Sequence, residues 1–232
     1  MKKLWTLILA ALLAMPAAAQ FKTAKERSRY NHKDTEHYYG LRLGMNVAVL
    51  NSDLLDYDMS ARTGLNIGGV FGLQLANSSP LWLETGVFFA EKGGRQSHPE
   101  SEAVDHIKCR LTFLEVPVVV KYSMDIADDL YLQPFVGGFF GLGIAGQTKV
   151  FTHDTSRRVA KSSYGRINID GPENITYPGL NRLDAGLRFG CGLEYQMVYA
   201  EAAFDFGLAN IGKDDFQSVR TQAFVLNVGV NF

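Results

Sequence analysis

Nowhere beyond its first fifteen residues does this 232-residue chain hold a run of eighteen apolar residues. That excludes membrane-spanning helices, but not membrane-spanning strands, whose apolar residues are diluted by half. Charge of one sign is also lacking: the net charge is −1, so no global field draws the chain to nucleic acid. There are only two cysteines, Cys109 and Cys191, too few for a disulfide scaffold. Histidine is scarce as well. His32 and His37 lie in a polar leader, and His98, His106 and His153 in loops or at a strand edge. None stands beside a serine with an acid behind it, and no group has metal-ligand spacing, so neither a triad nor a metal centre is expected.

What is present is alternation. From Arg182, every second residue is polar or glycine: Arg182, Asp184, Gly186, Arg188, Gly190, Gly192, Glu194. The set between them is Leu183, Ala185, Leu187, Phe189, Cys191, Leu193, Tyr195. After Gln196 and Met197 the order mirrors, with Val198, Ala200, Ala202, Phe204, Phe206 and Leu208 apolar and Glu201, Asp205 and Gly207 opposite. A period of two is a β-strand, so this is a hairpin with one charged and one apolar face. A two-residue turn sets Arg188 against Asp205 and Phe189 against Phe204, which predicts an Arg188–Asp205 contact.

The same pattern recurs along the chain. Lys2, Lys3, the apolar stretch from Leu4 to Met15 and Ala17-Ala18-Ala19 form an export signal over residues 1–19, with cleavage before Gln20. Residues 20–37 are a polar periplasmic leader, and residues 38–232 the barrel domain. Eight strands are expected, at about 38–50, 63–76, 81–92, 107–123, 130–146, 182–195, 198–208 and 220–232. The fourth changes phase near Thr112 to Leu114, which predicts a bulge there, and Pro117 suggests another local irregularity. Cys109 and Cys191 read as free thiols filling lipid-facing rows on strands that are not neighbours. The segment from Ser163 to Ile169 alternates enough to extend the strands as a hairpin.

Connections after the second, fourth and sixth strands are short, and those after the others are long. Membrane barrels place short turns in the periplasm and long loops outside. Tyr39, Trp82, Tyr122, Tyr131, Tyr195, Tyr199 and Phe232 gather at the short-turn end, as an interfacial aromatic girdle does. By strict counting Trp82, Tyr131 and Tyr199 fall on the inward phase and are read as rim residues. The expected fold is therefore all-β: an eight-stranded antiparallel up-and-down transmembrane β-barrel with both termini periplasmic. A soluble barrel of lipocalin type would reverse the polarity of the two faces. If the charged face met lipid instead, each Arg or Lys would cost roughly 2–4 kcal/mol near the midplane. The lumen is expected to hold Arg42, Lys121 and Arg188 among Glu84, Glu115, Glu194, Glu201 and Asp205, because buried charge persists only when partnered. Filled in this way, the barrel is not expected to conduct.

Several stretches resemble the PorT-like outer-membrane β-barrel proteins of Bacteroidetes. They are Gly40-Leu41-Arg42-Leu43-Gly44-Met45-Asn46, Glu91-Lys92-Gly93, Leu114-Glu115-Val116-Pro117 leading to Lys121-Tyr122, and Phe206-Gly207-Leu208-Ala209-Asn210-Ile211. The resemblance covers roughly Tyr39 to Phe232. It implies an outer-membrane location in contact with outer-membrane lipid, and a link to protein secretion and its components. It also implies tolerance of the proline in the fourth strand. Phe232 is similar to the terminal signal read by the barrel-assembly machinery. The implied role is a non-enzymatic structural or accessory envelope protein.

Two other readings stay open. In one, the 147–180 loop binds anionic glycan or lipid, since Lys149, Arg157, Arg158, Lys161 and Arg166 outnumber Asp154, Asp170 and Glu173. In the other, the chain is a small outer-membrane lipid-modifying enzyme, with His106 or His153 as its base. The run Gly141-Leu142-Gly143-Ile144-Ala145-Gly146 fits the dinucleotide fingerprint, but no helix is expected after it, so it implies no cofactor.

Overall fold

Alternating residues send one face of each strand to hydrocarbon and the other to an enclosed axis, and the chain closes on itself accordingly. The computed structural model describes residues 36–52, 60–76, 79–97, 104–152, 158–162, 164–165, 167–169, 175–177, 179–213 and 218–232. Its elements are β1 (His37–Ser52), β2 (Ser60–Gln74), β3 (Leu81–Ser97), β4 (Val104–Tyr122), β5 (Met124–Ala127) and β6 (Leu130–Thr152). Then come β7 (Arg158–Ser162), β8 (Ile167–Ile169), β9 (Ile175–Tyr177), β10 (Leu183–Tyr195), β11 (Val198–Gly207) and β12 (Val219–Asn231). Eight of these form a ring of antiparallel neighbours in the order β1, β2, β3, β4, β6, β10, β11, β12. The ring closes through β12 and β1, where Leu41 faces Val230 and Ala48 faces Ala223. Closure leaves no open edge, the condition for placing strands in lipid.

The eight long strands match the eight expected, although β6 runs six residues further than the glycine-rich sequence suggested. Short β5 adds to β6 at the short-turn end, and β7 folds back on the far end of β6. Of the stretch expected to extend as a hairpin from Ser163, Ile167–Ile169 is the strand among the described residues, and it pairs with β9 in a separate two-stranded sheet. Ser163 and Arg166 lie outside the described residues, as do the export signal and all but the last two residues of the leader. Gly141 to Gly146 lie inside β6, so no phosphate-binding helix start follows them.

The outward face carries Leu41, Leu43 and Met45 on β1, Leu114, Val116, Val118 and Val120 on β4, and Leu187, Phe189 and Leu193 on β10, all exposed. Tyr39, Tyr122, Tyr195 and Phe232 lie exposed at one end of this belt. The inward face is buried.

The irregularity expected near Thr112 lies on the neighbouring strand, and β4 itself does not change phase. The pairing of β4 with β6 shifts between Thr112 and Phe113 because β6 carries an extra residue, Ile144, while β4 stays in unbroken register with β3. In β4, Ile107, Cys109, Leu111, Phe113, Glu115 and Val119 are all buried on one phase, so the bulge expected in β4 lies in β6 instead. Cys109 shares the inward phase of Glu115, six residues on along β4. Cys109 is therefore buried in the lumen instead of facing lipid as expected, and only Cys191 remains half-buried on the outer wall; both are free.

Pro117 makes no bulge. Its register against β3 is the same on either side, and the ladder only skips the Gly86–Val87 stretch opposite Val116 and Pro117. The missing N–H faces β3, where the Thr85 hydroxyl donates to the Pro117 carbonyl at 2.9 Å. A lipid-facing hydroxyl thus supplies a hydrogen bond where the ladder lacks one.

Candidate functional site: a lumen of paired charge

The inward face of the strands builds two nests of charge. The upper one is organised by Arg188 of β10, which the register places opposite Asp205 of β11. Arg188 Nε donates to Asp205 Oδ1 at 2.6 Å and a terminal nitrogen to Oδ2 at 2.7 Å, a two-pronged contact. The same nitrogen donates to Glu115 Oε1 of β4 across the barrel at 2.6 Å. Lys92 Nζ of β3 lies 2.7 Å from Glu115 Oε2 and 3.7 Å from both Asp184 and Asp205. The Thr221 hydroxyl donates to Asp184 at 2.8 Å. Charged pairs held by hydrogen bonds on several sides are the form in which buried ions are tolerated.

The lower nest, nearer the short turns, mixes charge with phenol. Glu84 of β3 accepts from Lys121 Nζ at 2.8 Å and from the Tyr38 hydroxyl at 2.5 Å, with Arg42 at 3.6 Å. Lys121 also donates to the Tyr199 hydroxyl at 2.7 Å. The Arg42 guanidinium lies 4.0 Å from the centre of the Tyr199 ring, a cation–π stack. Beside this nest Glu194 accepts from Gln133 at 3.1 Å and Asn231 at 2.9 Å. Asn66 donates to Asn227 at 2.9 Å, and Asn227 donates to Glu201 at 2.8 Å.

Glycine makes room for these groups. A methyl at Gly192 would overlap the Tyr199 hydroxyl, and one at Gly72 would overlap the Tyr38 ring. Glycine on the charged face is thus a packing requirement of a narrow barrel.

Apolar layers flank the nests. Ala48, Val119, Phe135, Ala203, Ala223 and Val225 form one buried cluster. At the long-loop end Leu50, Cys109, Leu111, Phe113, Ile211 and Val219 form another, with Tyr164 and Leu180 packed against it. Burial raises the Tyr164 hydroxyl to about 12, the nearby Cys109 thiol adding to the shift. Ile211 reaches this layer because the chain after β11 turns inward. Asn210 Oδ1 accepts from the Gly212 and Val219 N–H groups at 2.8 and 2.9 Å.

All eight expected lumen residues point inward: Arg42, Glu84, Glu115, Lys121, Arg188, Glu194 and Asp205 are buried, and Glu201 is half-buried. Lys92 and Asp184 belong with them. Their inward phase was readable from alternation, but nothing in the sequence revealed that Lys92 gathers Glu115, Asp184 and Asp205 around one nitrogen. Tyr199 corrects a second expectation. It is fully buried in the lower nest and is not a rim residue, because girdle statistics describe outward aromatics and its phase is inward. Trp82 is half-buried, with its ring 5.4 Å from that of Tyr38. Of the expected loop cations, Lys149 lies on β6; Arg157 and Arg166 lie outside the described residues, as do the side chains of Arg158 and Lys161.

Residues 19–212 match the family described as outer membrane protein beta-barrel domain. The chain belongs to that family. This outer-membrane barrel is also similar to several solved structures. One is Ail, the attachment invasion locus protein of Yersinia pestis, at 15% identity and a TM-score of 0.43, covering 85% of this chain and 99% of that one. Neisserial surface protein A is similar at 14% identity and a TM-score of 0.39, with 86% and 98% covered. The N-terminal β-barrel domain of Pseudomonas aeruginosa OprF is similar at 13% identity and a TM-score of 0.34, with 86% and 100% covered. No curated protein matches the chain.

Proposed function

We propose that this outer-membrane barrel is a non-enzymatic structural or accessory component of the envelope, plugged along its axis, with both termini on the periplasmic side. The filling of the lumen carries the reading. Arg42, Lys92, Lys121 and Arg188 are held by carboxylates and phenols of facing strands, and apolar clusters flank the nests they form. A conducting pore instead keeps a lane of charge facing water. The orientation is supported by the short connections and by exposed Tyr39, Tyr122, Tyr195 and Phe232 at the same end.

A non-catalytic role is supported by the two histidines within the described residues. The His106 ring is stacked 4.2 Å from Phe151, and the His37 ring lies edge-on 5.9 Å from Tyr39. The partners are then membrane lipid around the apolar belt and the barrel-assembly machinery reading Phe232. The PorT-like resemblance adds a narrower role, as an accessory of protein secretion.

Planar-bilayer recordings of the purified chain test the plug. They should show no steady conductance, and a large steady current would overturn it. Co-purification from outer membranes tests the narrower role: secretion components travelling with the chain support it, and their absence removes it.

A further inference from the structure

Beyond the lumen, the outer wall carries a second polar feature at the long-loop end. A groove of about 450 Å³ is lined by Arg62, Arg95, Lys108, Arg110, Gln147 and Lys149, together with small residues. Arg95 of β3 is the direct partner of Lys108 of β4, and Lys108 that of Lys149 of β6. Three cations therefore stand side by side on one face, across two strand spacings of about 10 Å in all. Like charges placed directly opposite each other destabilise a sheet, so the row is costly unless an anion lies among them.

Some of the lining is engaged. Arg110 pairs with Glu91, Lys108 lies 5.2 Å over the Phe151 ring, and Arg62 donates to the Cys109 carbonyl at 3.4 Å. None of the described lining residues is acidic. Further along the same strands, on the same outward face, come Leu114 and Val116, Phe89 and Val87, and Leu142 and Phe140, all exposed to lipid. A ligand in the groove would stand where an apolar membrane face gives way to cationic side chains, the height of lipid phosphates.

We propose that this groove binds the phosphate groups of a phosphorylated glycolipid in the adjoining leaflet. With the termini periplasmic, that leaflet is the outer one and the glycolipid is lipopolysaccharide; this assignment rests on the orientation proposed above. The row can hold more than one phosphate, and the hydrocarbon below it favours an anion that brings acyl chains.

The test titrates the full chain in zwitterionic nanodiscs with bisphosphorylated lipid A, its dephosphorylated form and inorganic pyrophosphate. The parent should bind bisphosphorylated lipid A far more tightly than either alternative, and binding should weaken with salt. Arg95→Gln/Lys108→Gln/Lys149→Gln should weaken it about a hundredfold, each Lys or Arg near an anionic surface contributing several-fold. Arg95→Lys/Lys149→Arg should keep it. Affinity unchanged within twofold in the triple variant, or pyrophosphate binding as tightly as the lipid, would overturn the proposal. Heat-dependent gel mobility reports whether each variant is folded, and Arg95→Gln alone, expected to cost about fivefold, serves if the triple variant is not.

Orientation is read separately, by labelling Lys213→Cys in intact cells with an impermeant maleimide; Lys213 is exposed at the same end. Absence of labelling with lipid binding intact would overturn the orientation, and with it the lipopolysaccharide source, without touching the groove's phosphate chemistry.

Discussion

The two charge nests share one barrel and reach neutrality by different means. In the upper nest Arg188 faces two carboxylates and Lys92 faces three, with contacts of 2.6–2.7 Å to Asp205 and Glu115 at its centre. In the lower nest Glu84 shares its charge among Lys121, Arg42 and the Tyr38 hydroxyl, while the Tyr199 ring and hydroxyl take up the remaining cationic surface. The upper nest is divided between two cations, Arg188 and Lys92, that share the same carboxylates. The lower one is redundant, because each acceptor has a neutral donor in reserve.

The largest effect should follow from Arg188→Leu. It leaves Lys92 alone against Asp184, Asp205 and Glu115 in a dry interior and should cost about 3–5 kcal/mol, read as a fall in the urea midpoint or as loss of the folded band on gels. The matching change below, Lys121→Met, should cost less, about 2–3 kcal/mol, because Glu84 keeps Tyr38 and Arg42. An equal or reversed order would dissolve the distinction between the nests. Gly192→Ala should cost about 1–3 kcal/mol by overlapping the Tyr199 hydroxyl. Adding Tyr199→Phe should recover part of that loss, so the double variant is more stable than the two single losses summed; strict additivity would show that the two residues do not touch. Thr85→Val lies outside both nests and sets the baseline. It should cost only about 0.5–1.5 kcal/mol, the worth of the bond to the Pro117 carbonyl.

These differences also mark what could be read from the chain itself. Arg188 and Asp205 were legible as a pair because a two-residue turn at Gln196-Met197 fixes the register, and adjacent strands then bring the two residues opposite each other. Gln196 takes a positive φ of 56° to make that turn. The contact from Arg188 to Glu115 was not legible, since β10 and β4 are separated by β6 and meet only across the lumen. Pairing within a hairpin is a one-dimensional property, whereas contact through the axis depends on how the whole ring closes. Alternation likewise fixed the phase of Lys92 and Tyr199 without fixing their partners, and residue type misled at Tyr199. Cys109 shows a different limit. This residue shares the phase of Glu115 without interruption, but its row with Ile107, Leu111 and Phe113 is apolar and so reads as lipid-facing, until the closed ring shows that the lumen itself turns apolar at the long-loop end. The cationic row of Arg95, Lys108 and Lys149 was scattered through three segments, and it becomes a row only through the pairing of β3, β4 and β6.

The segment after β11 is laced to the end of the 147–180 segment. Asn181 N–H donates to the Ile211 carbonyl at 2.7 Å, its side chain to Gly212 at 3.0 Å, and Lys213 N–H to Gly179 at 3.1 Å. Two stretches far apart in sequence therefore behave as one lid, with Ile211 as its stopper. For anyone wishing to graft a foreign peptide onto this scaffold for display, neither stretch is an independent site. An insertion between Gly179 and Asn181, or between Asn210 and Lys213, would disturb both stretches together and loosen the stopper beneath them.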